Sequence, residues 1–189
     1  SDGCAWCLVS PHDLPAFLQS PVPGGTLDGW NCIATPDALD MLVTSKNHDI
    51  KGKRIRSAEA DDWLFALCSL QTDGMYSKAG PKFYYGSSRT KGCFSSRVGT
   101  GISLQSCCGA RWKRNVAVLL DAREDISEEQ GLKDESGVAL LWLPPWDGQK
   151  SIAFEQLDPF YIDVCRRARL SAITDGPLTA FATSSDTTR

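Results

Sequence analysis

The sequence is poor in histidine and methionine, with two of each among 189 residues. It has no apolar run near the roughly 20 residues of a membrane-spanning helix, so we expect no membrane association. Neither His12 nor His48 stands in the context of a catalytic triad, and the GxSxG and GxxxxGK[ST] motifs are both missing. The carboxylates are scattered or clustered in acidic segments. These absences predict a protein that is not an enzyme and has no cofactor.

Cysteine is abundant, but the pattern that a zinc site needs is lacking. Of eight cysteines, Cys4 and Cys7 form a CxxC pair, and Cys107 is adjacent to Cys108. A zinc site requires a second CxxC or paired histidines at ligand spacing. A redox CxxC lies at a helix N-terminus, whereas residues 4–10 are predicted to form a strand that places the two thiols on opposite faces. We therefore expect reduced core cysteines in a cytoplasmic protein and no metal; a cysteine-based metal or redox protein is the alternative.

The overall composition, 42% hydrophobic and 23% charged, allows a core of ordinary size. Signals for helices and strands are mixed, which predicts an α+β fold in a single domain over residues 1–189. A Pro-rich loop over residues 10–25 and a Gly/Ser-rich loop over residues 74–109 are expected to connect its elements. Residues 138–143 are predicted to form a buried strand.

Four helices are predicted from capping signals and apolar spacing. Thr35-Pro36-Asp37 starts one that runs to residue 43. Ser57 caps a second over residues 58–70, in which Trp63, Leu67 and Leu70 form an apolar stripe. A third covers residues 111–125, with an apolar face that consists of Trp112, Val116 and Leu119. Asp158-Pro159 starts the last, which ends in Arg166, Arg167 and Arg169 at the negative end of its dipole.

Positive charge is concentrated in one segment. Residues 71–114 carry a net charge of +7, with Asp73 as the one acid, while the remaining residues sum to −10. The basic residues are Lys78, Lys82, Arg89, Lys91, Arg97, Arg111, Lys113 and Arg114. Glycines let backbone N–H groups approach phosphates closely, basic side chains attract them, and aromatic rings such as those of Tyr76 and Tyr85 stack on bases. The segment is thus predicted to bind nucleic acid; the alternative is a solvated basic loop pinned to the core by its aromatics.

Seven short segments together resemble a known family. In chain order they read AWCLV with PAFLQ, KNHDIK, DDWLFALCSLQT, GMYSKAGPKFYYGSSR, RWKRNVAVLLDAR, LLWLPPWDG and LDPFYIDVCRRARL. Their order resembles the CasA family, the large subunits of the type I-E CRISPR surveillance complex Cascade. The likeness covers most of the chain but matches only an inner part of the family's N-terminal domain. The family's leading segment and its C-terminal helical bundle are absent from this sequence.

The resemblance implies a non-catalytic role in antiviral defence. Members of the family recognise a short motif beside the target, the PAM, in double-stranded DNA, chiefly from the minor groove. They help to open the duplex for pairing with guide RNA, contact the other Cascade subunits and recruit a helicase–nuclease. The alternative is a truncated structural remnant without activity.

The resemblance also implies two sets of site residues. A glycine-rich loop within residues 74–86 would lie against the PAM, and a loop within residues 46–56 would meet guide RNA and a neighbouring subunit. The nucleic-acid-binding set is Gly74, Tyr76, Lys78, Gly80, Lys82, Tyr85, Arg89, Lys91 and Arg97. The guide-RNA set is Lys46, Asn47, His48, Lys51, Lys53 and Arg54. The chain departs from the family at residues 89–94, where it reads RTKGCF and relatives have a run like RMNGGF. The family's glutamine wedge and a further PAM-contacting lysine have no assigned position here.

Overall fold

The computed structural model describes residues 5–39, 58–72, 107–164, 166–172 and 176–185. Helices and strands are mixed among them, which confirms the predicted α+β class. The helices are α1 Pro36–Leu39, α2 Ala60–Thr72, α3 Cys108–Asp121 and α4 Arg123–Gln130, with a 3-10 turn at Phe154–Gln156. The strands are β1 Asn31–Ile33, β2 Val138–Leu140, β3 Leu157–Ile162, β4 Arg167–Ala172 and β5 Leu178–Thr183. No helix in these ranges is long and apolar enough to cross a membrane.

Contacts divide the described residues into two compact units. The first unit contains the described residues up to 72 together with residues 141–151, 163–164, 166–172 and 176–185. The second unit contains residues 107–140 and 152–162. The expectation of one domain over residues 1–189 stays a prediction.

The first unit is built on a three-stranded sheet in the order β1-β5-β4, with both pairs antiparallel. Helix α2 contributes its apolar stripe to the core of this unit, and Leu39 of α1 joins it. The core residues are Ile33, Leu39, Trp63, Ala66, Leu67, Leu70, Ala168, Leu170, Ala180 and Ala182. The predicted inward stripe of α2 is therefore confirmed.

Helix α2 begins at Ala60, two residues after the predicted start. The side chain of Asp62 accepts a hydrogen bond from the backbone N–H of Glu59 at 2.9 Å, which is half of a capping box. Asp61 and Asp62 also place negative charge at the positive end of the helix dipole. These interactions explain why the helix starts there.

Strand β4 separates two environments. Ala168 and Leu170 belong to the apolar core. Arg167 and Arg169 alternate with them along the strand, and side chains at alternate positions point to opposite faces. Arg169 bonds to the Pro-rich loop over residues 10–25, so one face of the strand is apolar and the other binds this loop.

The prediction of a last helix from Asp158 to Arg169 is wrong, because the described residues of this range form most of β3, part of a connection and the first part of β4. Asp158 Oδ1 accepts a hydrogen bond from the backbone N–H of Phe160 at 2.7 Å. This side-chain contact two residues along is typical of an Asx turn. The acid that was predicted to cap a helix instead bonds within an extended segment.

The predicted strand over residues 4–10 is also wrong in its described part, residues 5–10, which form turns. Trp6 stacks on Phe17 with ring centroids 5.9 Å apart, and both rings meet Trp142 edge-on at 5.8 Å. The indole N–H of Trp142 donates to the carbonyl of Ala5 at 3.0 Å. Aromatic packing and this bond hold the segment as a turn.

The second unit combines α3, α4 and the parallel pair β2 and β3. Arg123 of α4 links the elements of this unit. Its Nη2 lies 2.7 Å from Asp158 Oδ2, and its Nε lies 2.7 Å from Asp134 Oδ1. Its guanidinium lies 5.1 Å from the centre of the Phe160 ring. The predicted helix over residues 111–125 is present as α3 and α4, interrupted at Ala122. The predicted buried strand is shorter, since β2 ends at residue 140 and is half-buried.

Candidate functional site

Both segments predicted to bind nucleic acid, residues 46–54 and residues 74–97, lie outside the described residues. The described residues include the two flanks of the basic segment over residues 71–114. They also contain a cavity that sequence reasoning missed.

The first flank is fixed by Gln71 in the last turn of α2. Its side chain is 1% exposed. Gln71 Nε2 donates to the carbonyls of Leu18 at 3.2 Å and Arg166 at 2.9 Å, and Gln71 Oε1 accepts from the Arg166 N–H at 3.0 Å. The side-chain amide of Gln71 thus forms two hydrogen bonds with the backbone of Arg166, as a residue of a neighbouring strand would. The first residue of the basic segment is therefore anchored by side-chain hydrogen bonds.

The second flank is the exposed first half of α3. Arg111, Lys113 and Arg114 are all exposed, and none of them forms an ion pair with a residue that the structure describes. Trp112 between them is 65% exposed. The described part of the basic segment therefore offers three cations and an aromatic ring to a partner.

The thiol of Cys107, just before α3, has a lowered pKa because the backbone N–H groups of Ala110 and Gly109 favour its thiolate. This is the helix N-terminal position that a reactive thiol prefers. The expectation of core cysteines is wrong for Cys7, Cys32, Cys107 and Cys108, which are exposed. Among the described residues, no group of three or more His, Cys, Asp and Glu side chains is placed to hold a metal ion.

Arg169 is a fully buried cation, and its described hydrogen-bond partners include no carboxylate. Its Nη1 donates to the carbonyl of Gln19 at 2.9 Å. Its Nη2 donates to the carbonyls of Ser10 at 3.1 Å and Pro11 at 2.9 Å, and to Ser10 Oγ at 3.0 Å. Burial lowers the pKa of Arg169 to about 10, with Asp13 acting in the opposite direction. Its role is to fasten the Pro-rich loop to β4.

Arg167, two residues before Arg169 on β4, borders a small cavity with room for about one water molecule. The cavity is lined by Ser20, Trp30, Trp146, Arg166, Arg167 and Ala168. The guanidinium of Arg167 lies 4.8 Å from the centre of the Trp30 ring, a cation–π contact. Burial lowers the pKa of Arg167, and Asp147 opposes that effect.

The sequence did carry a signal for strand β4, which borders this cavity. Arg167-Ala168-Arg169-Leu170 alternates polar and apolar residues, which is typical of a half-buried strand. The helix signal at Asp158-Pro159 concealed it. Trp30, Trp146 and Ser20 come from distant parts of the chain, so no local pattern indicates that they meet.

Comparisons with models of known protein families, with curated proteins and with solved structures find no match. The chemistry of the chain is therefore argued from its own residues. The arrangement can attract anions at the exposed start of α3, and the Cys107 thiol just before this helix has a lowered pKa.

Proposed function

We propose that the chain is a non-catalytic, nucleic-acid-binding subunit of a CRISPR surveillance complex, of the CasA type. In this role it recognises the PAM in double-stranded DNA and contacts guide RNA, the other Cascade subunits and the helicase–nuclease, in the cytoplasm. The observation that carries the proposal is the exposed basic start of α3, which forms no ion pair with a described residue and belongs to a segment of charge +7 in a chain of net charge −3.

Physical chemistry supports this use of α3. Cations that already form ion pairs would lose those partners on binding phosphate, whereas Arg111, Lys113 and Arg114 have no described ion pair to lose. Each phosphate that they neutralise releases counterions, which favours binding at low salt. Trp112, which the fold leaves exposed, provides a ring on which a base can stack.

The test begins with co-purification of the chain with the other Cascade subunits and guide RNA. The assembled complex is then titrated with a PAM duplex and a scrambled duplex at two salt concentrations. We expect affinity to fall steeply with salt, and the double variant Lys113→Glu, Arg114→Glu to weaken binding to both duplexes about equally, because phosphate contacts carry no sequence information. Lys133→Glu is the matched control, since Lys133 is exposed but lies outside the basic segment. Failure of the assembled complex to bind at low salt would identify the chain as a structural remnant.

A second pair of variants separates affinity from recognition. Charge reversal at Lys78 and Lys82 is expected to weaken binding to both duplexes alike. Gly80→Leu keeps the charge but holds the backbone away from the groove, so discrimination between PAM and scrambled duplex should fall more than affinity. Equal losses for the two kinds of variant on both duplexes would refute this division of roles.

Cys107 supports one other candidate, a redox protein. Its lowered pKa favours the thiolate, the form that reacts with disulfides. Cys107→Ser should then abolish rapid alkylation at neutral pH, while Cys32→Ser, a change at an equally exposed cysteine, should not. A chain in which both thiols react equally slowly is not a redox protein of this kind.

A further inference from the structure

Helix α3 is amphipathic, but the described residues leave most of its apolar face uncovered. Trp112, Val116 and Leu119 recur at the spacing of one helix face, and Leu120 adjoins them. Trp112, Leu119 and Leu120 are 65%, 47% and 59% exposed, and no residue of α3 is buried. An amphipathic helix of a globular protein ordinarily packs such a face on the core. The apolar face of α3 is therefore available to a partner.

Opposite charges stand before and after this face along the chain. Arg111 and Lys113 are exposed at the start of α3. Beyond the face, α4 carries four exposed carboxylates, namely Glu124, Asp125, Glu128 and Glu129. Neither the two cations nor the four carboxylates form an ion pair with a residue that the structure describes. Both sets of charges are therefore free to attract groups of opposite sign on a partner.

Helical hydrogen bonds continue across the interruption between α3 and α4. The backbone N–H of Ala122 donates to the carbonyl of Val118 at 3.1 Å, and the N–H of Ile126 donates to the carbonyl of Ala122 at 3.0 Å. Both bonds span four residues, as in an α-helix. A positive end, an apolar face and a negative end thus follow one another within residues 108–130.

Such a stretch is complementary to a second copy of itself. When two copies lie antiparallel, the apolar faces meet and the positive end of each copy lies beside the negative end of the other, so that one contact forms twice about a two-fold axis. A parallel arrangement would place like charges together, which disfavours it. Nucleic acid would attract the cations and stack on Trp112, but it would leave Leu119 and Leu120 unused and would be repelled by α4.

We propose that α3 and α4 form a self-association surface, on which a second copy of this chain docks antiparallel. The contact is small, so we expect a weak dimer with a Kd of about 100 µM. The chain is then a monomer at the low concentrations of denaturation experiments, and Trp112 is exposed in that monomer. The proposal does not depend on the function proposed above, because the dimer forms without nucleic acid.

Sedimentation equilibrium of the full chain, without nucleic acid and over a concentration series, tests for the dimer. We expect the average mass to rise from that of the monomer toward that of the dimer. Leu119→Ala should weaken association about tenfold, because a two-fold interface loses the side chain twice. Leu143→Ala, at an exposed leucine of the first unit, should leave association unchanged. A chain that is monomeric at every concentration overturns the proposal, whether α3 is then free or covered by another part of the same chain.

Reversal of the charges at each end tests the antiparallel arrangement. One variant combines Arg111→Glu with Lys113→Glu, and the other combines Glu128→Lys with Glu129→Lys. Each alone should associate at least about tenfold more weakly than the wild type, because like charges now meet in both contacts. An equimolar mixture of the two variants should recover association, because the reversed ends are again complementary. Added salt should weaken the wild-type dimer.

The matched control is a mixture of Lys150→Glu and Asp28→Lys, which reverse exposed charges of the first unit. Each control variant should associate like the wild type, alone and in the mixture. Circular dichroism establishes that all variants are folded. If the mixture of folded α3 and α4 variants stays monomeric, or if each variant alone associates as tightly as the wild type, the antiparallel dimer is refuted.

Discussion

One tryptophan and one arginine of the first unit differ sharply in exposure from one of each in the second. In the first unit, Trp63 and Arg169 are fully buried. In the second, Trp112 and Arg111 are exposed at the start of α3. The difference lies in the neighbours: Trp63 packs among aliphatic side chains of α2 and the sheet, and Arg169 meets the carbonyls of a loop. The residue type thus sets which interactions a side chain can form, and the neighbouring residues decide whether it is buried or exposed.

Buried arginine shows this most clearly. A guanidinium has five donors and loses hydration on burial. Here backbone carbonyls of the Pro-rich loop replace water around Arg169. Proline has no N–H group, so such a loop has carbonyls in excess of its own donors. An arginine on β4 matches that excess, which makes Arg169 a structural residue although it was predicted to interact with a helix dipole.

The largest contrast between the units is expected for tryptophan. Trp63→Ala should lower the free energy of unfolding by roughly 3–5 kcal/mol, because it leaves a cavity in the core. Trp112→Ala, at an exposed position, should change it by less than about 0.5 kcal/mol. Urea denaturation of the full chain measures both. Similar losses for the two variants would show that Trp112 is buried in solution. The two tryptophans would then not differ in the way proposed here.

Arginine is expected to show the next largest contrast. Arg169→Met keeps the apolar stem but leaves carbonyls of Ser10, Pro11 and Gln19 without this donor, so the free energy of unfolding should fall by roughly 2–3 kcal/mol. Arg111→Met is the matched control and should be neutral within about 0.5 kcal/mol. Hydrogen exchange should also speed up in the Pro-rich loop of Arg169→Met. Unchanged stability in this variant would mean that the loop holds its position without the guanidinium.

Sequence reasoning succeeded where a signal is local and repeated. The stripe of Trp63, Leu67 and Leu70 is such a signal, and α2 is where it was predicted. It failed at Asp158, whose carboxylate serves a helix cap and an Asx turn equally well, so that only the partners available in the fold decide. The cavity could not be predicted because Ser20, Trp30 and Trp146 meet through long-range packing. The basic start of α3 was identified from charge alone, but its exposure required the structure.

The ion pair between Asp158 and Arg123 in the second unit is partly buried, so it is intermediate between the buried and exposed residues above. It can be tested by its dependence on pH. Burial raises the pKa of Asp158, but hydrogen bonds from Arg123 and the Phe160 N–H, with the charge of Arg123, outweigh it and leave the pKa below its ordinary value. A lowered folded-state pKa stabilises the fold above the unfolded-state value of about 3.9, and this stabilisation is lost as pH falls through the folded-state pKa. Asp158→Asn should therefore cost about 1 kcal/mol at neutral pH, and the cost should disappear in acid. Asp121→Asn, at an exposed carboxylate, should cost little at either pH. A cost for Asp158→Asn that stays constant from neutral pH into acid would show that packing rather than charge is responsible.

The smallest expected effect concerns His12 in the first unit. Burial lowers the pKa of His12, and the positive charge of Arg169 adds to this, while a hydrogen bond with the Gly25 backbone and the charge of Asp13 act in the opposite direction. The unfolded chain therefore binds a proton first, and stability should decline as pH falls from about 6.5 to the lower folded-state value. Because His12 is only half-buried, we expect a decline of a few tenths of a kcal/mol, roughly the scale of other surface effects. The difference between the wild-type chain and His12→Gln isolates this contribution from that of His48. In an Arg169→Met background the same difference should shrink, since one cause of the lowered pKa is gone. An equal decline in both backgrounds would mean that the charge of Arg169 does not contribute to the lowered pKa of His12.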